Sequence, residues 1–310
     1  MNSARVFKKA LITGVKGSGG SYLKEYIEDT DPEVEVYGIH RGNCDLAEYE
    51  LVYDFLEGVK PDVIFHLASN ADVKGSFDRP QRVLRNNILG TCNLFEAVRR
   101  LNLDPIILHC STSEVYGQVD PKNVPITEDC PIKPVSPYAI SKTAQDFLAQ
   151  MYFKSYGLKI IITRMFAYIN PRRTNLFASA FASQIVRIEK GLQKNLLHGN
   201  LDSTRTLIDV RDAMRAYWEA ALYCEPGQVY NIGSATPIEV REFLDRLMIR
   251  SPIPILTCQD PDLLRPTDVT LQVPDCEKFI RATGWKPHYT LDESLDFLLA
   301  YFRDHFKSTV

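Results

Sequence analysis

The sequence lacks three features, each of which would point to a different class of protein. No apolar run approaches the roughly 20 residues that a membrane-spanning helix needs, so no membrane partner is predicted. The formal net charge of -3 provides no field that would attract nucleic acid, so no nucleic-acid partner is predicted either. Repeats and low-complexity tracts are missing as well. Charged residues make up 24% and hydrophobic residues 45% of the 310 positions, which is typical of a globular protein with a large core.

Cysteine is sparse and scattered. The seven cysteines are odd in number and include no Cys-x-x-Cys pair, which favours reduced thiols over a disulfide framework or a zinc site. His66 and His109 lie in apolar runs and are predicted to be core residues, so no metal is predicted. The first residues, MNSARVFKKALITG, contain no apolar core of signal-peptide length. These observations predict a cytoplasmic protein.

Short apolar runs alternate with longer segments of helical periodicity. The runs predict buried strands at residues 8–13, 34–39, 62–68, 105–111, 158–166 and 228–234. Helical periodicity is clearest at 79–101 and 136–157. This alternation predicts an α/β fold, namely a Rossmann-type doubly wound parallel sheet with a smaller mixed α/β substrate-binding region toward the C-terminus.

A glycine-rich stretch follows the first predicted strand directly. In ALITGVKGSGGSYLKEYI, Gly14, Gly17 and Gly20 have the spacing GxxGxxG and precede a helical segment. This spacing allows a tight turn, close approach of the backbone to a pyrophosphate, and close packing of helix on strand. The stretch predicts a dinucleotide site, although an ordinary glycine loop has the same composition.

The end of the second predicted strand indicates which dinucleotide binds. An NAD-binding protein usually carries an acidic residue there, but GIHRGNCDL carries Arg41, whose guanidinium suits a 2′-phosphate. We therefore predict NADP(H), with NAD(H) as the alternative cofactor and a solvated surface arginine as the other interpretation. Asp45 and Leu46 follow within reach of the adenine. Because so few residues separate Arg41 from Asp45, the usual third strand is expected to be incomplete or missing.

Two residues of SPYAISK predict the catalytic chemistry. Tyr138 and Lys142 are four residues apart near the start of a helical segment, so both side chains project from one face. A lysine ammonium beside a phenol lowers the phenol's pKa and can hold a nicotinamide ribose, which predicts a general acid/base at Tyr138. A hydroxyl is expected opposite it at the end of the preceding strand. Thr112 is the candidate, with Ser111 and Ser113 as alternatives.

These motifs together resemble an extended short-chain dehydrogenase/reductase of the nucleotide-sugar type. The resemblance covers essentially the whole chain and rests on TGxxGxxG, FHLAS, NNILGT, STSEVYG and SPYAISK. Within that superfamily, GNLDSTR, DVRDAMRAYW, LLRPTDV and TGWKP are similar to two families that act on GDP-mannose derivatives. These are the GDP-mannose 4,6-dehydratases and the GDP-4-keto-6-deoxy-D-mannose reductases.

The resemblance implies specific roles for several residues. It implies a catalytic group made of Thr112, Glu114, Tyr138 and Lys142. In the dehydratase the glutamate moves protons at C5 and C6 of the sugar, but both families carry it, and a capping carboxylate is the alternative interpretation here. The resemblance also implies cofactor contacts from three further residues, Leu67, Ala68 and Asn87.

The substrate end is implied by the same resemblance. Arginines suit a diphosphate because they form forked hydrogen bonds, and Arg205 and Arg265 fall on the positions that hold GDP in the relatives. Asp268 falls where ribose hydroxyls could be accepted, and Arg172, paired with Arg173, resembles the dehydratase. Ala167 and Tyr168 stand where both families carry asparagine and histidine, which leaves the sugar's identity open.

Three functions follow from these expectations. The first is NADP(H)-dependent reduction of the C4 keto group of a GDP-4-keto-6-deoxyhexose, which the chain length favours because dehydratases usually carry an extra loop. The second is GDP-mannose 4,6-dehydration with internal return of the hydride. The third is nucleotide-sugar binding without turnover, suggested by Ala167.

The resemblance also implies a division of the chain and a partner. Residues 1–166, with a return segment at about 206–235, are expected to bind NADP, and residues 167–205 and 236–310 are expected to bind the nucleotide sugar.

Relatives pair through their two long helices, which predicts a homodimer formed through a four-helix bundle. Apolar residues that would serve this interface, but could equally face the sheet, are Leu84, Ile88, Leu94, Phe147 and Met151.

Overall fold

A six-stranded parallel sheet forms the centre of the computed structural model, which describes residues 4–264 and 269–306. The strands are β1 (Lys9–Thr13), β2 (Glu35–Ile39), β3 (Val63–His66), β4 (Ile106–Thr112), β5 (Ile160–Met165), β6 (Tyr168–Ile169), β7 (Asn195–His198), β8 (Thr204–Thr206), β9 (Ile208–Asp209), β10 (Val229–Ile232), β11 (Pro237–Glu239), β12 (Leu256–Gln259) and β13 (Leu271–Gln272). The helices are α1 (Ser18–Thr30), α2 (Tyr49–Val59), α3 (Val73–Asp78), α4 (Pro80–Leu84), α5 (Gly90–Arg100), α6 (Pro137–Tyr156), α7 (Phe177–Glu189), α8 (Val210–Tyr223), α9 (Val240–Met248), α10 (Glu277–Thr283) and α11 (Leu291–His305).

The strand order of the central sheet is β10-β5-β4-β3-β1-β2. Each of the six predicted apolar runs supplies one of these strands. These runs are apolar throughout because helices cover both faces of the sheet, so that side chains on either face of β3 and β5 are buried. The predicted Rossmann-type α/β fold is confirmed. The order reverses between β1 and β3, and ligands of such sheets bind in the crevice outside the carboxyl ends at that point.

The expectation of a missing strand is also confirmed. Within the described residues, β2 pairs only with β1 and forms the edge of the sheet. The chain turns from β2 through Asn43, whose side-chain amide donates to the Gly38 carbonyl at 2.8 Å and whose oxygen accepts from the His40 amide at 2.8 Å. This local turn leads into α2 without a further strand.

The predicted helix at 79–101 is interrupted. Residues Arg85–Leu89 form a π-helical turn between α4 and α5. The side chain of Asn87 in this turn is buried and bonds to Asn70 and Ser141, contacts that favour the wider turn. Helix α6 is continuous, with Ser136 accepting from the Ala139 amide at its start and Gly157 in the left-handed conformation at its end.

The later part of the chain builds a smaller layer over the carboxyl edge of the sheet. Helices α7, α9 and α11 share an apolar core to which Phe181, Phe243 and Leu298 contribute. Short strands connect it to the sheet in the orders β11-β8-β13, β12-β7 and β6-β9. Across the described residues, no helix combines the length and the apolar character that crossing a membrane would require.

Candidate active site

A cavity of about 610 Å³ lies between the carboxyl ends of the central strands and the layer that contains α7. Its wall runs from the glycine turn after β1, past the ends of β3 and β4, to α6 and then to β8. The cavity is therefore continuous from the predicted dinucleotide site to the predicted substrate site.

The glycine turn forms one end of this cavity. Gly14 has φ +76°, a left-handed conformation that suits glycine, and its amide donates to the Ile39 carbonyl at 2.8 Å. A Cβ on Gly20 would lie 2.2 Å from the Gly14 carbonyl oxygen, and one on Gly17 would lie 3.0 Å from it. The first turn of α1 carries no acidic residue. The turn therefore fits the pyrophosphate of a dinucleotide, because the backbone is bare and no carboxylate repels an anion.

The residues predicted to meet the adenosine end lie outside the cavity wall. Arg41 is exposed beyond the end of β2, and Asp45 accepts a hydrogen bond from the Ala47 amide at 3.0 Å. Leu46 is partly buried, and its carbonyl accepts from Asn93 at 2.9 Å. These three residues lie along the turn from β2 to α2, beside the glycine turn that bonds to Ile39.

The end of β3 contributes two of the expected cofactor contacts. Leu67 and Ala68 line the cavity, and the Ala68 backbone would lie 3.1 Å from a Cβ on Gly14. Asn87 does not line it. Its side-chain oxygen accepts from the Asn70 amide at 2.8 Å and its amide donates to Ser141 at 2.8 Å, so it fixes the loop after β3 against α6.

The predicted hydroxyl and carboxylate follow β4. Thr112 ends the strand and accepts from the Glu114 amide at 3.3 Å, which starts a short 3₁₀ turn. Thr112 and Glu114 both line the cavity, as do the neighbours Ser111 and Ser113. The Glu114 carboxylate accepts from Gln272 of β13 at 3.4 Å.

Tyr138 lies in the cavity wall opposite this turn. Burial raises its pKa to about 12, while the Arg173 charge and a hydrogen bond with Thr112 act in the opposite direction. The Thr112 hydroxyl is therefore the one that faces the phenol. Tyr138 is protonated throughout the neutral range, as a proton donor needs to be.

Lys142 is buried one turn further along α6. Its ammonium donates to the Cys110 carbonyl at 2.7 Å, and burial lowers its pKa to about 8. We expected this ammonium to lower the pKa of Tyr138, but the cation that does so most strongly is Arg173. The Lys142 ammonium is instead bound to the Cys110 carbonyl near the end of β4.

Of the predicted substrate residues, the structure places one in the cavity wall and one outside it. Arg205 on β8 lines the cavity and donates to the Thr204 carbonyl at 3.0 Å and to the Val269 carbonyl. Arg172 is not in the wall: it forms a forked pair with Glu25 of α1 at 2.7 and 3.0 Å and stacks on Tyr22. Arg265 and Asp268 lie outside the described residues.

Two residues that line the cavity, Arg173 and Gln272, were not predicted as site residues from the sequence. Arg173 lines the cavity and donates to the Ala71 carbonyl at 2.8 Å. A turn around Asn170 sends the two consecutive arginines in different directions, since Asn170 accepts from the Arg172 amide through its side chain and from the Arg173 amide through its backbone. The PRR motif contained both arginines but did not indicate which one faces the site.

The sheet order, the glycine turn and the tyrosine–lysine pair define a Rossmann-type protein of the extended short-chain dehydrogenase/reductase class. Residues 39–297 match the sequence profile of the family described as GDP-mannose 4,6 dehydratase, and the chain belongs to that family. The resemblance inferred from the motifs is confirmed.

Two relatives show how the similarity is distributed. The GDP-6-deoxy-D-mannose reductase of Pseudomonas aeruginosa is 31% identical over 296 residues, covering 94% of this chain and 96% of the relative. The GDP-mannose 4,6-dehydratase of Vibrio cholerae serotype O1 is 27% identical over 351 residues, covering 94% of this chain and 93% of the relative. For the same share of this chain, the dehydratase alignment is longer, so that relative contains segments that this chain lacks.

Solved structures are similar over the whole fold. RMD from Pseudomonas aeruginosa, solved with NADPH, superimposes with a TM-score of 0.88 at 30% identity and covers 96% of this chain and 99% of its own. The UDP-glucose 4-epimerase of Thermus thermophilus, solved with NAD, gives a TM-score of 0.83 at 26% identity and covers 97% of this chain and 100% of its own.

Proposed function

We propose that the protein catalyses NADPH-dependent reduction of the C4 keto group of a GDP-4-keto-6-deoxyhexose, as a GDP-4-dehydro-6-deoxy-D-mannose reductase. The observation that carries this proposal is the end-to-end similarity to the reductase of Pseudomonas aeruginosa, at 31% identity with few extra residues in either chain. The cavity supports it, because a protonated phenol lies beside the end of β4 at the centre of its wall.

NADP(H) is the proposed cofactor, with NAD(H) as the alternative. The bare glycine turn fits a pyrophosphate, and the exposed Arg41 at the end of β2 would pair with a 2′-phosphate. Asp45 and Leu46 would lie at the adenosine end, and Leu67 and Ala68 along the middle of the cofactor. Asn87 would act indirectly, by holding the loop after β3. When bound, NADPH supplies a hydride to C4 of the sugar.

The chain itself would supply the proton and the orientation. Tyr138 would donate its phenolic proton to O4 as the hydride reaches C4, giving the alcohol, and proton transfer of this kind contributes about 10² to 10⁴ in rate. Thr112 would hold the O4 atom by hydrogen bonding. Lys142 would bind the ribose hydroxyls next to the nicotinamide.

The substrate would extend from Tyr138 toward β8. Arg205 and Arg173 line that part of the wall and would bind the diphosphate, so the role expected for Arg172 passes to Arg173. Arg265 and Asp268 retain their proposed contacts with GDP. In this scheme residues 1–166 and 206–235 hold the cofactor, and residues 167–205 and 236–310 hold the nucleotide sugar.

Dehydration of GDP-mannose is the second candidate. Glu114 lies in the cavity wall and accepts from Gln272, so a carboxylate is available beside the sugar. It would take the C5 proton after oxidation at C4, water would leave from C6, and the hydride would return to C6. The additional segments of the dehydratase relative favour the reductase over this candidate.

A test supplies two mixtures to the purified protein. One contains GDP-mannose with a trace of NADP, and the other contains GDP-4-keto-6-deoxymannose with excess NADPH. We expect NADPH to be consumed in the second mixture, one per sugar, with mass spectrometry showing a gain of two hydrogens. Conversion in the first mixture alone would replace this proposal by dehydration. Binding of GDP-sugar without product in either mixture would indicate a binding protein.

We also propose that the protein is a cytoplasmic homodimer. All seven cysteines are free, as expected in a reducing compartment. An apolar strip on α6 and the neighbouring π turn, defined as Leu89, Ile140, Phe147 and Met151, is 38 to 54% exposed in the monomer. Such a strip on two adjacent helices suits a four-helix bundle with a second copy.

A further inference from the structure

A row of polar side chains crosses the central sheet just below the cavity, on the face covered by α6. Thr13 of β1 is hydrogen-bonded to His66 of β3 at 2.8 Å, and the other nitrogen of His66 bonds to Thr91 at 2.8 Å. His109 on β4 is the register partner of His66. None of these side chains lines the cavity, and the proposed chemistry leaves them unused.

The row continues into an ion pair. Asp146, fully buried on α6, lies between His109 at 3.3 Å and the Nε of Arg164 at 3.1 Å. Arg164 on β5 also donates to the Tyr116 hydroxyl at 2.9 Å, which in turn donates to Asn231 of β10 at 2.7 Å. Asp146 is four residues after Lys142, so the two side chains leave the same face of α6.

The other titratable groups that face Lys142 are neutral. Burial lowers the pKa of His109 and holds that of His66 well below its usual range, so both imidazoles are uncharged at pH 7. Burial raises the pKa of Cys110 and of Tyr138 to about 12, so the thiol and the phenol are uncharged as well. Among the described residues around this lysine, the carboxylate of Asp146 is the anion, and Arg164 is the cation paired with that carboxylate.

We propose that Asp146 is a positioning residue that keeps Lys142 charged. The Lys142 ammonium donates to the Cys110 carbonyl, and in the described part of the chain no carboxylate lies within ion-pair distance of it. Its charge therefore depends on a field that acts through the helix from one turn away. The inference rests on the proposed function only for its catalytic consequence.

The test measures the ionisation of Lys142 directly in the cofactor-free protein. With ¹³C-labelled lysine, the Cε resonance of Lys142 is assigned from its loss in Lys142→Met and is then titrated. Burial lowers the pKa of this lysine to about 8, which separates its titration from that of ordinary lysines near 10.5. Asp146→Asn should lower that pKa by about 1 or more, because a buried cation loses its nearby anion.

Arg164→Gln is the matched variant, since it removes the other side of the same ion pair. It leaves the carboxylate and removes a competing positive charge, so the Lys142 pKa should stay or rise. The double variant Asp146→Asn/Arg164→Gln removes both charges and avoids an unpaired buried guanidinium, and it should again show the fall. If Asp146→Asn does not fold, this double variant takes its place in the comparison.

The outcomes separate a positioning role from a packing role. The proposal is supported if the pKa of Lys142 falls in Asp146→Asn and does not fall in Arg164→Gln. It is overturned if the pKa of Lys142 falls in neither Asp146 variant, or if it falls equally when Arg164 alone is replaced. The alkaline limb of kcat/KM should move to lower pH in Asp146→Asn, because the protonated lysine is the active form. The titration remains decisive if no GDP-sugar is turned over, so failure of the two proposals can be told apart.

Discussion

The phenol of Tyr138 is held in the form that a reductase requires. Burial raises its pKa to about 12, so the group is fully protonated at pH 7 and ready to donate. The Arg173 charge and a hydrogen bond with Thr112 oppose that rise, and both residues line the cavity. In the reverse direction, oxidation of the alcohol, Tyr138 would have to accept a proton as the phenolate. That form is populated only at higher pH.

Replacing Tyr138 by phenylalanine removes the proton donor and little else. We expect Tyr138→Phe to lower kcat about 10² to 10⁴-fold while leaving the Kd for NADPH within about 3-fold, because the ring still fills its place. Stopped-flow NADPH oxidation and fluorescence titration measure the two quantities. Tyr152→Phe, on the same helix, loses a hydrogen bond to Glu96 at 3.2 Å and should keep full kcat. Unchanged turnover in Tyr138→Phe would rule out Tyr138 as the proton donor.

The consecutive arginines allow a second comparison. Arg173→Gln should raise KM for the nucleotide sugar about 10 to 100-fold, since it removes a guanidinium from the cavity wall. Arg172→Gln should leave KM unchanged and alter stability by at most about 1 kcal/mol, because its partner Glu25 is half-exposed. Steady-state kinetics and thermal melts on both variants check this. Equal effects on KM would contradict the assignment.

At the scale of single residues, the sequence predicted well which side chains line the cavity. It predicted less well which contacts those side chains make there. Tyr138 and Lys142 share a helical face because of their spacing, and that held without knowledge of tertiary structure. The direction of the Lys142 ammonium depends on the Cys110 carbonyl, which comes from another element. Likewise, the choice between Arg172 and Arg173 depends on a turn around Asn170 that no local pattern specifies.

Among the elements, the turn from β1 to α1 has little steric freedom. A Cβ on Gly20 would lie 2.2 Å from a backbone oxygen, so the helix could not accept a larger residue there without moving. We expect Gly20→Ala to lower the free energy of unfolding by about 1 to 3 kcal/mol and to weaken NADPH binding, because the first turn of α1 shifts. Chemical denaturation and NADPH titration measure both effects.

The control for this prediction is a glycine in another helix. Gly58 in α2 is exposed and a Cβ there would meet nothing within 4 Å. Gly58→Ala should therefore raise the free energy of unfolding by up to about 1 kcal/mol and leave NADPH binding unchanged. Opposite signs at the two glycines are expected, and equal signs would count against a steric cause at Gly20.

Strands were easier to predict than interruptions of helices. A parallel strand covered by helices on both faces is apolar at every position, so its signal is continuous and independent of register. The π turn at Arg85–Leu89 has no such signal, since it depends on Asn87 reaching Asn70 and Ser141. Periodicity also left open which face of 79–101 meets the sheet. Leu94 proves to be fully buried in the sheet core, so it cannot serve a dimer interface.

For the whole molecule, the short β2-to-α2 connection was informative because it made the missing strand predictable. The cavity itself was not predictable from local patterns. Its wall combines residues far apart in the chain: β4 and α6 bring Thr112 and Tyr138 together, and the later layer over the sheet adds Arg205 from β8. The family resemblance supplied that information in advance, since it carries a known three-dimensional arrangement.

Association of two copies is the remaining whole-molecule expectation. Phe147 is 54% exposed at the middle of the apolar strip, and a charge there would be buried without a partner in a four-helix bundle. We expect sedimentation velocity to show a dimer for the native protein and a monomer for Phe147→Glu, with the near-ultraviolet circular dichroism spectrum retained. Ile249→Glu, at an 82% exposed apolar residue beyond α9, should remain dimeric. A monomeric native protein would contradict the dimer. A Phe147→Glu variant that still sediments as a dimer would place the contact elsewhere on the surface. Dissociation in Phe147→Glu but not in Ile249→Glu would assign the apolar strip to the four-helix bundle.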